Sequence, residues 1–197
     1  MALRGDDHVE RPLIVGLGGA FRPGSATEMA LVASLKAAEA LGARTRLLGA
    51  ELLTRLPIYD PRPGPENAAQ AELVAAVREA DGVIVATPGY HGSLSGMIKN
   101  ALDTLELTRE DPRPYFQGRA VGLIVTADGW QATGTALMSL RAIVHAMRGW
   151  PTPLGAALNV TGGLFNDDGA CRSDRDAWQI EQVAREVMEF AMMKRPV

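Results

Sequence analysis

The sequence predicts a doubly wound α/β fold, a five-stranded parallel sheet between two layers of helices. Two observations carry this. Short apolar runs alternate with amphipathic stretches along the chain, the pattern of strands buried on both faces and covered by helices. The 197 residues are 47% hydrophobic and 22% charged, an ordinary globular balance that supplies a sizeable core. Aromatics make up only 5%, so that core must be built from Ala, Val, Leu and Ile.

Residues 13–17 (Leu-Ile-Val-Gly-Leu) are apolar throughout and form the first strand. A helix follows over 26–41, with Leu31, Leu35 and Ala38 on one stripe and Gly42 at its C′ position. Residues 44–48 (Arg-Thr-Arg-Leu-Leu) read as a second strand, polar enough for a sheet edge. A long loop with Pro57, Pro61, Pro63 and Pro65 precedes a helix over 66–80; Glu51 falls in this stretch as a solvated loop residue. Residues 82–87 form a central third strand. The Pro88-Gly89-Tyr90-His91-Gly92-Ser93 segment after it is expected to continue neither strand nor helix. A helix over 96–107 presents Ile98, Leu102 and Leu105 on one face, and residues 121–126 are the fourth strand. The helix over 133–148 stops at Gly149, with Pro151 just beyond. Residues 154–160 are the fifth strand, and a last helix over 174–193 buries Ile180, Val183, Val187 and Phe190. No repeat or linker interrupts the pattern, so 1–197 reads as one domain with 1–11 as a flexible N-terminal extension. Right-handed crossovers leave few arrangements of five such units, the commonest being the flavodoxin-like order 2-1-3-4-5 in a three-layer sandwich.

Composition excludes several classes of function. A net charge of −3 gives no drive toward nucleic acid or an anionic membrane. The single Cys171 excludes an intrachain disulfide and a Cys-rich zinc site, and His8, His91 and His145 are too far apart to suggest a metal. The first residues lack the apolar stretch of a signal peptide, and no run approaches a membrane span. The expectation is a soluble cytoplasmic protein without a metal. There is no G-x-x-x-x-G-K-[ST] loop and no G-x-S-x-G elbow, and the dinucleotide fingerprint fails at Phe21. Side-chain chemistry is poorly supplied, so no residue is assigned as catalytic; chemistry through a bound cofactor fits better.

In open α/β sheets ligands bind beyond the carboxyl ends of the strands, where the winding reverses. Three loops meet there, over 18–25, 88–95 and 128–134, each rich in Gly, Ser, Thr and isolated aromatics. The first, with Gly19, Arg22, Ser25 and Thr27, lies before a helix N-terminus and suits a monophosphate. Ser25-Ala26-Thr27-Glu28 is equally a capping box, which explains Ser25 without a ligand. The second, Pro88 to Ser93, allows close backbone approach to a heterocycle. Within it, Tyr90 is either a stacking face or a packed anchor, and His91 either a ligand contact, a surface residue or a partner contact. Ser95 reads as the next N-cap, and Lys99, Asn100 and Asp103 are compatible with a plain solvated face. The third contributes Asp128, Gly129, Trp130 and Gln131, with Trp130 as a ligand wall, a loop anchor or a dimer contact. Cys171, with no partner suggested, reads as non-catalytic.

With these loops the chain resembles the NAD(P)H-dependent FMN reductase family, from about Leu13 to Ala191. An R-x-x-S phosphate loop stands as Arg22-Pro23-Gly24-Ser25, followed by Thr27. A P-x-Y-x-x-S loop stands as Pro88 to Ser93 and runs into Gly96-Met97-Ile98-Lys99-Asn100-Ala101-Leu102-Asp103. Ala20 replaces a common Ser, and Gly89-Tyr90-His91 replaces the commoner Glu-Tyr-Asn. The resemblance implies that Arg22, Ser25 and Thr27 hold an FMN phosphate, residues 88–93 line its ring and residues 128–131 close its other side. It also implies NADPH or NADH as hydride donor, a homodimer or homotetramer, and a flavin-dependent monooxygenase as a possible consumer of reduced flavin. Arg22, Arg109 and Arg113 are all candidates to meet a 2′-phosphate. Rival readings are an FMN-containing quinone, azo or metal-oxyanion reductase, and a non-enzymatic electron carrier. The mild charge counts against the carrier, which relies on a stronger acidic field to dock.

Overall fold

The computed structural model describes residues 11–62, 64, 65 and 67–194. Most of the expected extension, residues 1–10, lies outside them, while Arg11 donates to the carbonyls of Gly42 (2.9 Å) and Ala43 (2.7 Å). In chain order the elements are β1 (Leu13–Gly18), α1 (Ala26–Ala40), β2 (Arg44–Leu48), α2 (Ala50–Leu53), α3 (Ala68–Glu79), β3 (Gly82–Tyr90), β4 (Ser93–Leu94), α4 (Gly96–Thr104), β5 (Ala120–Ala127), α5 (Trp130–Ala146), β6 (Trp150–Asn159) and α6 (Asp174–Met193). The five long strands are parallel in the order β2-β1-β3-β5-β6, with β4 paired antiparallel to β3. That is the predicted 2-1-3-4-5 topology, and the polar strand β2 lies at the edge as expected.

The wholly apolar strands arise because both sheet faces are covered. Leu13, Val15, Leu17, Val83, Val85, Leu123 and Val125 join the core under α3, α4 and α5. Their alternates Ile14, Ile84, Ala86 and Ile124 join the core under α1 and α6. The second layer sits very close: a Cβ on Gly122 would lie 2.5 Å from a Val183 methyl, and one on Gly16 2.7 Å from Leu35.

Six details differ from expectation. Phe190 is half-buried rather than buried, because its ring lies beside that of the exposed Trp150 at the sheet edge. Residues 88–93 were expected to stop the strand, yet β3 runs through Pro88 and Gly89 to Tyr90 and turns back as β4, a sixth strand. Pro88 is tolerated because β1 ends opposite Ala86, leaving β3 a strand neighbour on one side only. His91 (φ 51°) and Gly92 (φ 81°) complete a two-residue turn of the I′ pattern. The fourth helix is shorter than 96–107, ending at Thr104 and tightening into a 3₁₀ turn over Leu105–Thr108. Glu51 is exposed but lies in the short helix α2 rather than a loop. α5 begins at Trp130, not 133, because Gly129 adopts φ 96° and lets the helix start at once. β6 begins at Trp150, not 154, because a bulge opposite Val121–Leu123 absorbs its prolines at the sheet edge.

Arg119, just before β5, is 1% exposed. Its guanidinium donates to the carbonyls of Ala80 (2.9 Å), Arg78 (3.0 Å) and Tyr115 (3.0 Å), tying the negative end of α3 to the sheet. Burial pushes its pKa down to about 10, leaving it charged at neutral pH. Arg119→Met leaves these buried carbonyls without that donor and is expected to cost about 2 kcal/mol in urea denaturation. An unchanged midpoint would show that water replaces the side chain there.

Candidate functional site

The carboxyl ends of β1, β3 and β5 bring the three sequence-predicted loops to one edge. The β1–α1 loop leaves at Gly18, where a Cβ would lie 2.2 Å from the Ala86 carbonyl oxygen, so no side chain fits. Gly19 is buried beside it and donates to the same oxygen at 3.3 Å. Arg22 stands exposed in the turn that follows and forms no ion pair among the described residues.

Ser25 is the N-cap of α1. Its Oγ accepts the N–H groups of Glu28 (3.2 Å) and Ala20 (3.3 Å), leaving its own proton available to donate. The capping box is altered, however. Glu28 takes the Gly24 N–H on Oε1 (3.1 Å) and the Ala50 N–H on Oε2 (2.9 Å), pinning the loop to the start of α2. Thr27 is buried, with its hydroxyl 2.6 Å from that of Thr126 at the end of β5. Two hydroxyls share one proton in that contact and one proton remains.

The second loop is the hairpin. Pro88, Gly89 and Tyr90 end β3, His91 and Gly92 form the turn, and Ser93 begins β4. Gly89 packs closely, since a Cβ would lie 3.2 Å from those of Ala127 and Ala136 and these neighbours would have to give by a few tenths of an ångström. Tyr90 is 57% exposed, so it is not a packed anchor within its own chain. Thr87 braces the hairpin base by accepting the Ser95 N–H at 3.0 Å. In the following helix Lys99 pairs with Asp103 (2.7 Å), a solvated contact. Asn100 holds Tyr59 N–H (2.8 Å) and Pro57 C=O (2.9 Å), fixing the proline-rich segment.

At the third loop Asp128 is exposed and Gly129 is the N-cap of α5, whose first residues are Trp130 and Gln131. No side chain caps this helix. Sequence reasoning missed three contributors. Thr126 and Asn159 fall inside the predicted fourth and fifth strands, where nothing in the sequence marks them as site residues. Asn159 Oδ1 accepts the N–H groups of Gly129 (3.1 Å) and Thr161 (2.9 Å), fixing where α5 begins. Arg175, whose guanidinium lies 6.0 Å from the Trp130 ring centroid, gives no signal in the sequence at all. Cys171 lies apart from these groups, and burial, reinforced by Asp176 and Glu181, pushes its thiol pKa up. Among the described residues no cluster of His, Cys, Asp and Glu could hold a metal, and no helix is long and apolar enough to cross a membrane.

The edge therefore gathers donors: two helix N-termini, spare hydroxyl protons and an unpaired guanidinium. Such a set suits an anionic group and a planar ring that gains negative charge. Phe21 (78% exposed), Tyr90 and Trp130 (58%) stand around it.

Comparison with known proteins agrees with this chemistry. The sequence model of the NADPH-dependent FMN reductase family matches residues 12–162. An FMN-dependent NADPH-azoreductase of Staphylococcus aureus is 38% identical over 99 residues, 50% of this chain and 49% of that protein. The match thus spans about half the length of the curated relatives. Among solved structures, the flavoenzyme NAD(P)H:(acceptor) oxidoreductase FerB of Paracoccus denitrificans superposes with a TM-score of 0.76 at 21% identity, covering 92% of this chain and 98% of that one. The apo form of the NADH:FMN oxidoreductase EMOB gives 0.69 at 23% identity, covering 94% and 92%. These two likenesses show the fold.

The hairpin yields a prediction. His91 is a non-glycine residue at positive φ in a turn position that favours Asn. His91→Asn should stabilise the protein by about 0.5 kcal/mol, or roughly 1–2 °C in Tm. A fall in Tm would show that the His91 ring makes a compensating contact.

Proposed function

The chain belongs to the NADPH-dependent FMN reductase family, and from that premise we propose that it binds FMN at this edge and reduces it with a nicotinamide dinucleotide. The observation that carries the reading is the meeting of the α1 N-terminus and unpaired Arg22 with a hairpin whose backbone is open to a flat ring.

FMN would supply a ring that accepts a hydride, and with it two electrons, which no side chain of the chain can do. Arg22, the Ser25 hydroxyl and the remaining Thr27–Thr126 proton would hold its phosphate, assisted by the α1 dipole. Residues 88–93 would line one edge of the ring, with Gly89 keeping the backbone free of a side chain. Gly129, Trp130 and Gln131 would close the other side, held in position by Asn159. The uncapped N–H groups of α5 are the chain's contribution to negative charge that develops on the ring. No general acid is needed for hydride delivery, so the protein's work is orientation and exclusion of water.

The exposed Phe21, Tyr90 and Trp130 favour a homodimer or homotetramer in which a second copy covers part of this edge. A cytoplasmic location and a flavin-dependent monooxygenase that consumes reduced flavin complete the reading. The same open aromatic mouth favours a second reading, in which FMN stays bound and passes electrons to a planar quinone or azo acceptor.

Under anaerobic conditions, protein loaded with substoichiometric FMN is expected to lose the visible flavin band on adding NADPH or NADH, far faster than free FMN does. Failure to bleach with FMN demonstrably bound would leave an electron carrier. Release of reduced flavin through a dialysis membrane separates the first reading from the second. Arg22→Ala is expected to weaken FMN binding by about 1.5–3 kcal/mol, as for loss of a charge-assisted phosphate contact. Unchanged affinity in flavin-fluorescence titration would remove Arg22 from the phosphate site.

A further inference from the structure

The reading above leaves open how the protein tells NADPH from NADH, which differ only by the adenosine 2′-phosphate. Two of the three arginines considered from sequence sit in the wrong place. Arg113 donates to the carbonyls of Ala80 (3.1 Å) and Gln117 (3.2 Å), and Arg109 to Glu110 (2.8 Å). Both belong to the segment leading into the amino end of β5, opposite the candidate site. The third, Arg22, is needed for the flavin phosphate.

The structure offers another cation. Arg175, in the first turn of α6, is exposed and has its guanidinium over Trp130, joining the two helix layers across the carboxyl edge. It has neither an ion pair nor a hydrogen-bonded acceptor among the described residues. Neighbouring Arg172, by contrast, is engaged with the carbonyls of Gly162 (2.6 Å) and Phe165 (3.0 Å). Stacking on an aromatic face holds a guanidinium in place without neutralising it. Asp174 and Asp176 flank Arg175 in the chain, and Asp128 lies two residues before Trp130; Asp176 accepts from Gln179 (3.2 Å), and none of the three pairs with Arg175. Among the described residues Arg22 and Arg175 are thus uncommitted guanidiniums at this edge, and an FMN with a phosphorylated dinucleotide presents two terminal phosphates.

We propose that Arg175, seated on Trp130, meets the 2′-phosphate and so selects NADPH over NADH. The inference rests on the reading of this site as one where a nicotinamide dinucleotide meets bound flavin. The planar fork of Arg suits phosphate better than the point charge of Lys, so the two residues are not equivalent here.

The test titrates NADP⁺ and NAD⁺ separately into oxidised, FMN-loaded protein by calorimetry, where no turnover occurs. Arg175→Ala is expected to weaken NADP⁺ roughly tenfold or more and leave NAD⁺ unchanged, as for a lost charged hydrogen bond. Arg175→Lys is expected to recover part of the loss. In turnover, KM for NADPH should rise by the same factor with kcat unchanged and NADH unaffected. Unchanged NADP⁺ affinity overturns the proposal. So does equal weakening of both dinucleotides, which would point to the shared pyrophosphate or to a structural loss. Wild-type protein that takes up FMN but binds neither dinucleotide overturns the functional reading itself, and that outcome is distinguishable before any variant is made.

Discussion

The carboxyl edge of the sheet is organised by the contact between β1 and β3. At Gly18 the two backbones run so close that a single Cβ would stand 2.2 Å from the Ala86 oxygen. The chain must therefore leave β1 there, and the Gly19 N–H turns onto the same carbonyl. The short loop that results carries the N-terminus of α1 across β3 toward β5, where Thr27 reaches Thr126. Because β1 stops at Gly18, opposite Ala86, β3 is free to carry on through Pro88 into the hairpin. One steric constraint thus places two of the three walls of the site, and Asn159 places the third through Gly129.

A second organising theme is how helix ends are left. α1 is capped by Ser25, yet the carboxylate expected to close its capping box turns away to Gly24 and Ala50. α5 starts on a glycine with no side-chain cap. Unsatisfied donors at a helix start are ordinarily met by a side chain or water. Here they gather at an edge that also holds an uncommitted arginine, which is the arrangement that invites an anionic ligand.

The fold was legible because burial on both faces makes strands such as 13–17 and 121–126 continuously apolar, a signal independent of fine local geometry. What was illegible depended on such geometry. His91-Gly92 lacks the Asn-Gly signature of a tight hairpin turn, and Pro88 argues against a strand unless the neighbouring strand is known to have ended. The bulge in β6 hid its start behind Pro151 and Pro153 in the same way. The three site loops were legible from Gly, Ser and Thr at the ends of strands. Thr126 and Asn159 were not, since both fall inside predicted strands and a polar side chain there carries no signal of what it meets across the sheet. Arg175 is far from Trp130 in the chain and meets it only once α6 has packed across the sheet.

The central claim is that the β1–α1 loop and the α1 N-terminus form a phosphate site serving a flavin ring held by the hairpin. Parallel titrations of FMN and riboflavin, which share the ring and differ in the phosphate, test it most directly. The account predicts that FMN binds at least roughly a hundredfold more tightly, with the difference shrinking as salt is raised. Equal affinities would contradict it, because the ring alone would then account for binding and the loop would hold no phosphate.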